Sequence, residues 1–138
     1  MRSPQVVMCA IDRIISFCMV KGVQPDELVT AVFEDEYLSV DTCKKNGYVY
    51  LVIAFKDEEN VIKNRYTYNL ERRLERIEQK TNSSKFKVQW DRSDALRKLV
   101  IDLTNSALSN GLSYEDIMGL IPESLKGIVS PHLRIIAA

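Results

Sequence analysis

Tyr48 to Phe55 is an unbroken run of eight apolar residues, rich in β-branched and aromatic side chains. Asn46-Gly47 precedes it and Lys56-Asp57-Glu58-Glu59-Asn60 follows it. Eight residues are few for a buried helix, and a run apolar on both faces suits a strand covered on both sides. It therefore predicts a central strand. The polar five read as a hairpin loop into Val61–Tyr68, where Ile62, Tyr66 and Tyr68 alternate with Lys63, Arg65 and Thr67. Lys85–Trp90 reads as a third strand, with Phe86, Val88 and Trp90 alternating against Lys85, Lys87 and Gln89.

Helical periodicity occupies the rest. Residues 5–21 are apolar around most of a helix, with Asp12, Arg13, Ser16 and Lys21 left to face water. Gly22 stops that helix, and Pro25-Asp26-Glu27 suits the start of a second one running to about Val40. Over residues 69–81, Leu70, Leu74, Ile77 and Thr81 fall within about 60° of one another on a helical wheel, which predicts a helix there. Leu96, Leu99, Val100, Leu103 and Ala107 follow the same spacing, Asn110-Gly111 ends that helix, and Ser113–Asp116 starts the next. Pro122 and Gly127 then break the chain into a short tail. The expected fold is one α+β domain over residues 1–138: about three antiparallel strands, helices on one face, and a helical hairpin at each end of the chain.

With 138 residues, about two thirds of the unfolded surface can be buried, enough for a core without disulfides or metal. Cys9, Cys18 and Cys43 form no CxxC pair, and an odd count fits reduced thiols in a cytoplasmic chain. Cys9 and Cys18 are expected in the core, and Cys43 on the surface beside Lys44 and Lys45. Asp12-Arg13 and Lys21-Gly22 interrupt the apolar N-terminal stretch too early for a signal sequence or a membrane span. A helix this apolar in a chain this short predicts a homodimer formed through it.

Two stretches, Cys18–Leu28 and Ala107–Ile117, align without gaps around Gly22 and Gly111. Their spacing resembles the helix-turn-helix signature. The second helices, however, offer Asp26, Glu27, Glu34, Asp35 and Glu36, or Glu115, Asp116 and Glu123, which repel phosphates. Ordinary hairpin packing is the better reading. Pro25-Asp26 with Glu78-Gln79-Lys80 resembles the restriction-nuclease PD…ExK pattern only as a string, because the second half lies in the helix predicted over 69–81. His132 near the C-terminus, with no orienting partner in view, reads as a surface residue. No phosphate-binding glycine loop and no metal-ligand spacing occurs, so no catalytic, cofactor or metal residue is nominated.

Charge is balanced overall, 19 basic against 19 acidic, but unevenly spread. Residues 70–98 carry nine basic and five acidic groups, whereas residues 1–40 carry three and six. Arg72, Arg76 and Lys80 stand at i, i+4 and i+8, a like-charged row on the predicted helix. Lys63, Arg65, Lys85 and Lys87 occupy the polar faces of the predicted strands, with Tyr48 or Tyr50 between them if the strands share a sheet. These seven basic residues are the expected partner-binding surface. They suit an acidic protein partner, another copy of the chain included, or single-stranded nucleic acid held by phosphate contacts and stacking. The expectation is a small non-catalytic binding or regulatory module.

Overall fold

The computed structural model describes residues 5–137. The order of elements is helix α1 (Gln5–Met19), helix α2 (Pro25–Val29), a 3-10 turn (Thr30–Phe33), strands β1 (Tyr37–Lys45), β2 (Tyr48–Asp57), β3 (Asn60–Asn69), β4 (Leu74–Thr81) and β5 (Lys87–Asp91), then helices α3 (Arg92–Ser109), α4 (Tyr114–Leu120) and α5 (Glu123–Ala137). Two compact units result: Lys21–Arg92 forms a sheet unit, and the chain on either side of it, up to Val20 and from Ser93, forms a helical unit.

The sheet is an antiparallel meander in the order β1-β2-β3-β4-β5. The α+β class holds, but there are five strands rather than three. β2 is an interior strand, second in the sheet rather than central, and pairs with β3 in unbroken register from Tyr48↔Asn69 to Asp57↔Asn60. The two added strands replace expected helix. The segment 69–81 is rich in good helix formers, yet β3 and β5 lie on either side of it and bond to both its edges. Those two ladders outweigh its intrinsic preference. Its first residues form the turn: the Asn69 side-chain oxygen accepts from the backbone N–H of Glu71 (2.9 Å) and Arg73 (3.0 Å), and Arg72 sits at φ 69°. The helix expected to reach Val40 stops instead at Val29, followed by the 3-10 turn and then β1. Asn46 and Gly47, at φ 54° and 81°, make the two-residue turn that joins β1 to β2.

One face of the sheet is covered by residues 21–29. Leu51, Ile53, Tyr68 and Leu74 form its buried centre, with Val23 and Leu28 packed on them and Tyr66, Ile77 and Trp90 at the margin. The Tyr68 hydroxyl donates to the Val23 carbonyl (2.6 Å), and the Leu74 N–H donates to the Lys21 carbonyl (2.8 Å). The buried Arg92 guanidinium closes this seam, its Nε donating to the Leu74 carbonyl at 2.6 Å and an Nη to the Lys21 carbonyl at 3.2 Å. Gly22 is required there: its φ is +91°, and a Cβ would stand 2.9 Å from the Leu74 Cβ.

In the helical unit, Val7, Ala10, Ile11, Ile14 and Cys18 of α1 pack with Leu96, Val100, Leu103 and Ala107 of α3, Ile117 of α4, Ile121, and Val129 and Leu133 of α5. That stripe of α1 leaves Cys9 on the opposite side, so Cys9 is exposed rather than in the core, while Cys18 is buried as expected. Pro122 does separate α4 from α5, but Gly127 does not break the chain into a tail, and neither does Pro131. Gly127 and Pro131 lie inside α5, which buries Val129 and Leu133 one turn apart. The N–H that Pro131 lacks would have bonded to the Gly127 carbonyl, one hydrogen bond set against that burial. Among the described residues no helix is long and apolar enough to cross a membrane.

Candidate functional site: the outer face of the sheet

The second face of the sheet follows from the register. Tyr48, Tyr50, Val52 and Lys56 of β2 alternate away from Leu51 and Ile53. Beside them lie Lys63, Arg65 and Thr67 of β3, then Arg76, Glu78 and Lys80 of β4, and Asp41, Cys43 and Lys45 of β1. β5 adds Val88 and Asp91, the register partners of Glu78 and Arg76. Among these ladder residues, Lys45, Lys56, Lys63, Arg65, Arg76 and Lys80 stand against Asp41, Glu78 and Asp91, an excess of three positive charges.

The cations are not equivalent. Arg65 forks onto Glu78, with its Nε and one Nη each 3.0 Å from a carboxylate oxygen. Arg76 donates its Nε to Asp91 at 2.9 Å. Both guanidiniums are thereby oriented and largely neutralised. Lys63 and Lys80, in contrast, are direct cross-strand partners, like charges set opposite each other. Such a pair is unfavourable for the sheet. Phe86, in the β4–β5 loop, sits beneath this end: the Arg65 guanidinium carbon lies 4.0 Å from its ring centroid and the Lys80 ammonium 5.1 Å. At the other end the Tyr48 and Tyr50 rings are 6.4 Å apart and inclined at 52°. Tyr48 is 42% exposed and Val88 53%.

Of the seven basic residues expected at one surface, the sheet therefore brings together Lys63, Arg65, Arg76 and Lys80. Arg76 and Lys80 arrive there as alternate-face residues of a strand, not as a helical row. Arg72 does not join them. It lies in the β3–β4 turn and lines a hollow of about 660 Å³ with Asp26, Lys44, Val49 and Tyr68. Lys87 is the register partner of Gln79, which places it on the covered side, and Lys85 precedes β5 in the loop. The cause is a bulge at Gln89, since Glu78 pairs with Val88 but Ile77 with Trp90. Val88 and Trp90 consequently face opposite sides, although strict alternation put them together. Lys56 is a further member that the sequence reading assigned to a loop.

Elsewhere the titratable groups are explained locally. His132 is half-buried in α5 instead of on the surface; burial, and then Arg97, hold its imidazole below the usual value. Glu34 is raised because it shares a hydrogen bond with Glu36. Asp116 is lowered by the backbone N–H of Ser113, within the capping box that starts α4. Among the described residues no three His, Cys, Asp or Glu side chains converge on a metal-sized site. No protein-family model, curated protein or solved structure matches the chain.

Proposed function

We propose that the sheet unit is a binding module whose outer face docks an acidic segment of a partner protein. The opposition of Lys63 and Lys80 carries this reading. The fold sets two lysines directly opposite each other on paired strands, with Lys56 on the same face, while Arg65 and Arg76 are matched to carboxylates. A carboxylate-bearing partner relieves that repulsion. Val88, exposed beside Glu78, supplies an apolar anchor near it, and Tyr48 supplies another at the far end of the face.

Single-stranded nucleic acid is the second reading, favoured by the Tyr48–Tyr50 pair on the same face as the lysines. One observation weighs against it. The Phe86 ring already has the Arg65 guanidinium at 4.0 Å and the Lys80 ammonium at 5.1 Å from its centroid, so a base stacking there would compete with both cations.

The test is fluorescence anisotropy with two labelled probes, a Glu/Asp-rich peptide carrying one Leu and an oligo-dT strand. The proposal expects saturable peptide binding that the Lys63→Glu/Lys80→Glu variant loses, and weaker binding to the oligonucleotide. Three phosphate contacts, one for each of Lys56, Lys63 and Lys80, would give a log–log salt slope of about 2 for a single strand. Tighter oligonucleotide binding with that slope would replace this reading by the second. No binding of either probe at low salt would remove both.

A further inference from the structure

The outer edge of β1 carries a second interaction surface, built on its backbone groups and on Asp41, Cys43 and Lys45 at the margin of the outer face. β1 is nine residues long, pairs only with β2, and ends the sheet. Its register irregularity lies between Tyr37 and Ser39, so Ser39–Lys45 is a regular edge, and it contains no proline. Side chains 41–45 are all exposed. Natural edges are blunted by shortness, proline, bulges or charge; this run has no proline and no bulge, and its charges, Asp41, Lys44 and Lys45, are of both signs.

The direction of its backbone groups follows from the hairpin. In a two-residue turn of the Asn46-Gly47 kind, the closing pair Lys45–Tyr48 exchanges both of its hydrogen bonds. Alternation then turns the N–H and C=O of Lys45, Cys43 and Asp41 toward β2. Those of Lys44, Thr42 and Val40 point outward, toward whatever lies beyond the edge.

We propose that two copies of the chain pair antiparallel through β1, with the two-fold axis at Cys43. Three symmetric registers oppose five or more residues of Ser39–Lys45, centred on Asp41, Thr42 or Cys43. Centring on Asp41 sets that carboxylate against its own copy. Centring on Thr42 sets Val40 against Lys44 and Ser39 against Lys45, with no charge matched. Centring on Cys43 sets Asp41 against the partner's Lys45, twice by symmetry. These are non-hydrogen-bonded positions, where opposing side chains approach most closely. Thr42 and the partner's Lys44 then fall at hydrogen-bonded positions, both with outward backbone groups. Backbone pairing is met in all three registers, because each opposes residues of the same parity; charge selects the one centred on Cys43, and the contact is self-complementary as a two-fold interface must be. Two five-stranded sheets become one continuous sheet.

Sedimentation of the full chain over a hundredfold concentration range tests this. The expected wild-type species has twice the 15.8 kDa chain mass. Asp41→Lys, which opposes lysines at both sites, should weaken the dimer at least tenfold, and Asp41→Lys/Lys45→Asp should recover it to within threefold. The recovery separates lost pairing from lost folding. In a Cys9→Ser background, with Cys18 buried, a short bis-maleimide should join two chains through Cys43. A wild-type chain that stays at 15.8 kDa overturns the proposal. A dimer indifferent to Asp41→Lys, or one in which Cys43 does not cross-link, overturns it in favour of another surface, such as the exposed Val6 and Met8 of α1.

Discussion

Lys63→Glu should stabilise the sheet unit while weakening its capture of an acidic peptide, because the lysine opposes Lys80 across the β3–β4 ladder. Taking the two charges at about 6 Å, a little beyond the Cβ spacing of directly opposed residues, two unit charges in water interact by about 0.7 kcal/mol. Replacing repulsion by attraction is worth twice that, or about 1.4 kcal/mol unscreened. A Debye length of about 8 Å at physiological salt reduces it to about 0.7 kcal/mol, and 1 M salt to about 0.2 kcal/mol. Lys80→Glu is the poorer probe, since it also removes the ammonium 5.1 Å from the Phe86 ring. The assay is urea unfolding followed by Trp90, the only tryptophan and a residue of the sheet unit. With a slope of about 2 kcal/mol/M, the midpoint should rise by about 0.35 M at physiological salt. Lys63→Gln should show about half the gain. A midpoint that falls, or a gain of equal size in 1 M salt, would refute the electrostatic account of this face.

Two further substitutions probe the covered face. Gly22→Ala should cost about 2–4 kcal/mol by the same assay, because a positive φ and a Cβ against Leu74 are penalised together. Gly111→Ala, also at positive φ but with open space around it, should cost only about 1 kcal/mol by circular dichroism. The Tyr68 hydroxyl is pushed up from 10 to about 12, chiefly by burial. Its neutral form is the one the fold prefers, so the stability it contributes is complete below pH 10 and is lost as pH rises toward 12. Tyr68→Phe should remove this loss and lower stability near neutral pH by about 1–2 kcal/mol, since it leaves the Val23 carbonyl without its donor. An unchanged alkaline profile would show that Tyr68 is not the residue responsible.

Much of the helical unit and half of the sheet are legible in the sequence. Leu96, Val100, Leu103 and Ala107 are buried at the spacing they display, and the chain turns at Gly111 between α3 and α4. β2 and β3 occupy the predicted runs, because an apolar stretch on both faces and a clean alternation need no neighbour to interpret them. Asn46-Gly47 is a legible hairpin signal as well, and it marks the end of β1, which the helical reading of the preceding residues passes over. The candidate face was half legible. Lys63 and Arg65 follow from alternation, but the places of Arg76, Lys80, Lys56 and Lys87 depend on a strand, a strand end and a bulge.

The local pattern of residues by itself determined where apolar side chains recur at a period of two or 3.6, where glycine must turn the chain, and where charge accumulates. Tertiary structure decided residues 69–81, where Leu70, Leu74 and Ile77 keep helical spacing and only a bulge at Glu75 puts Leu74 and Ile77 on one face of a strand. Their backbone groups could be satisfied within one helix or by neighbours on two sides, and β3 and β5 supplied those neighbours together with ion-pair partners, Arg65 for Glu78 and Asp91 for Arg76. Hydrogen bonds between strands join residues far apart in the chain, so no short window of sequence contains both halves of the choice.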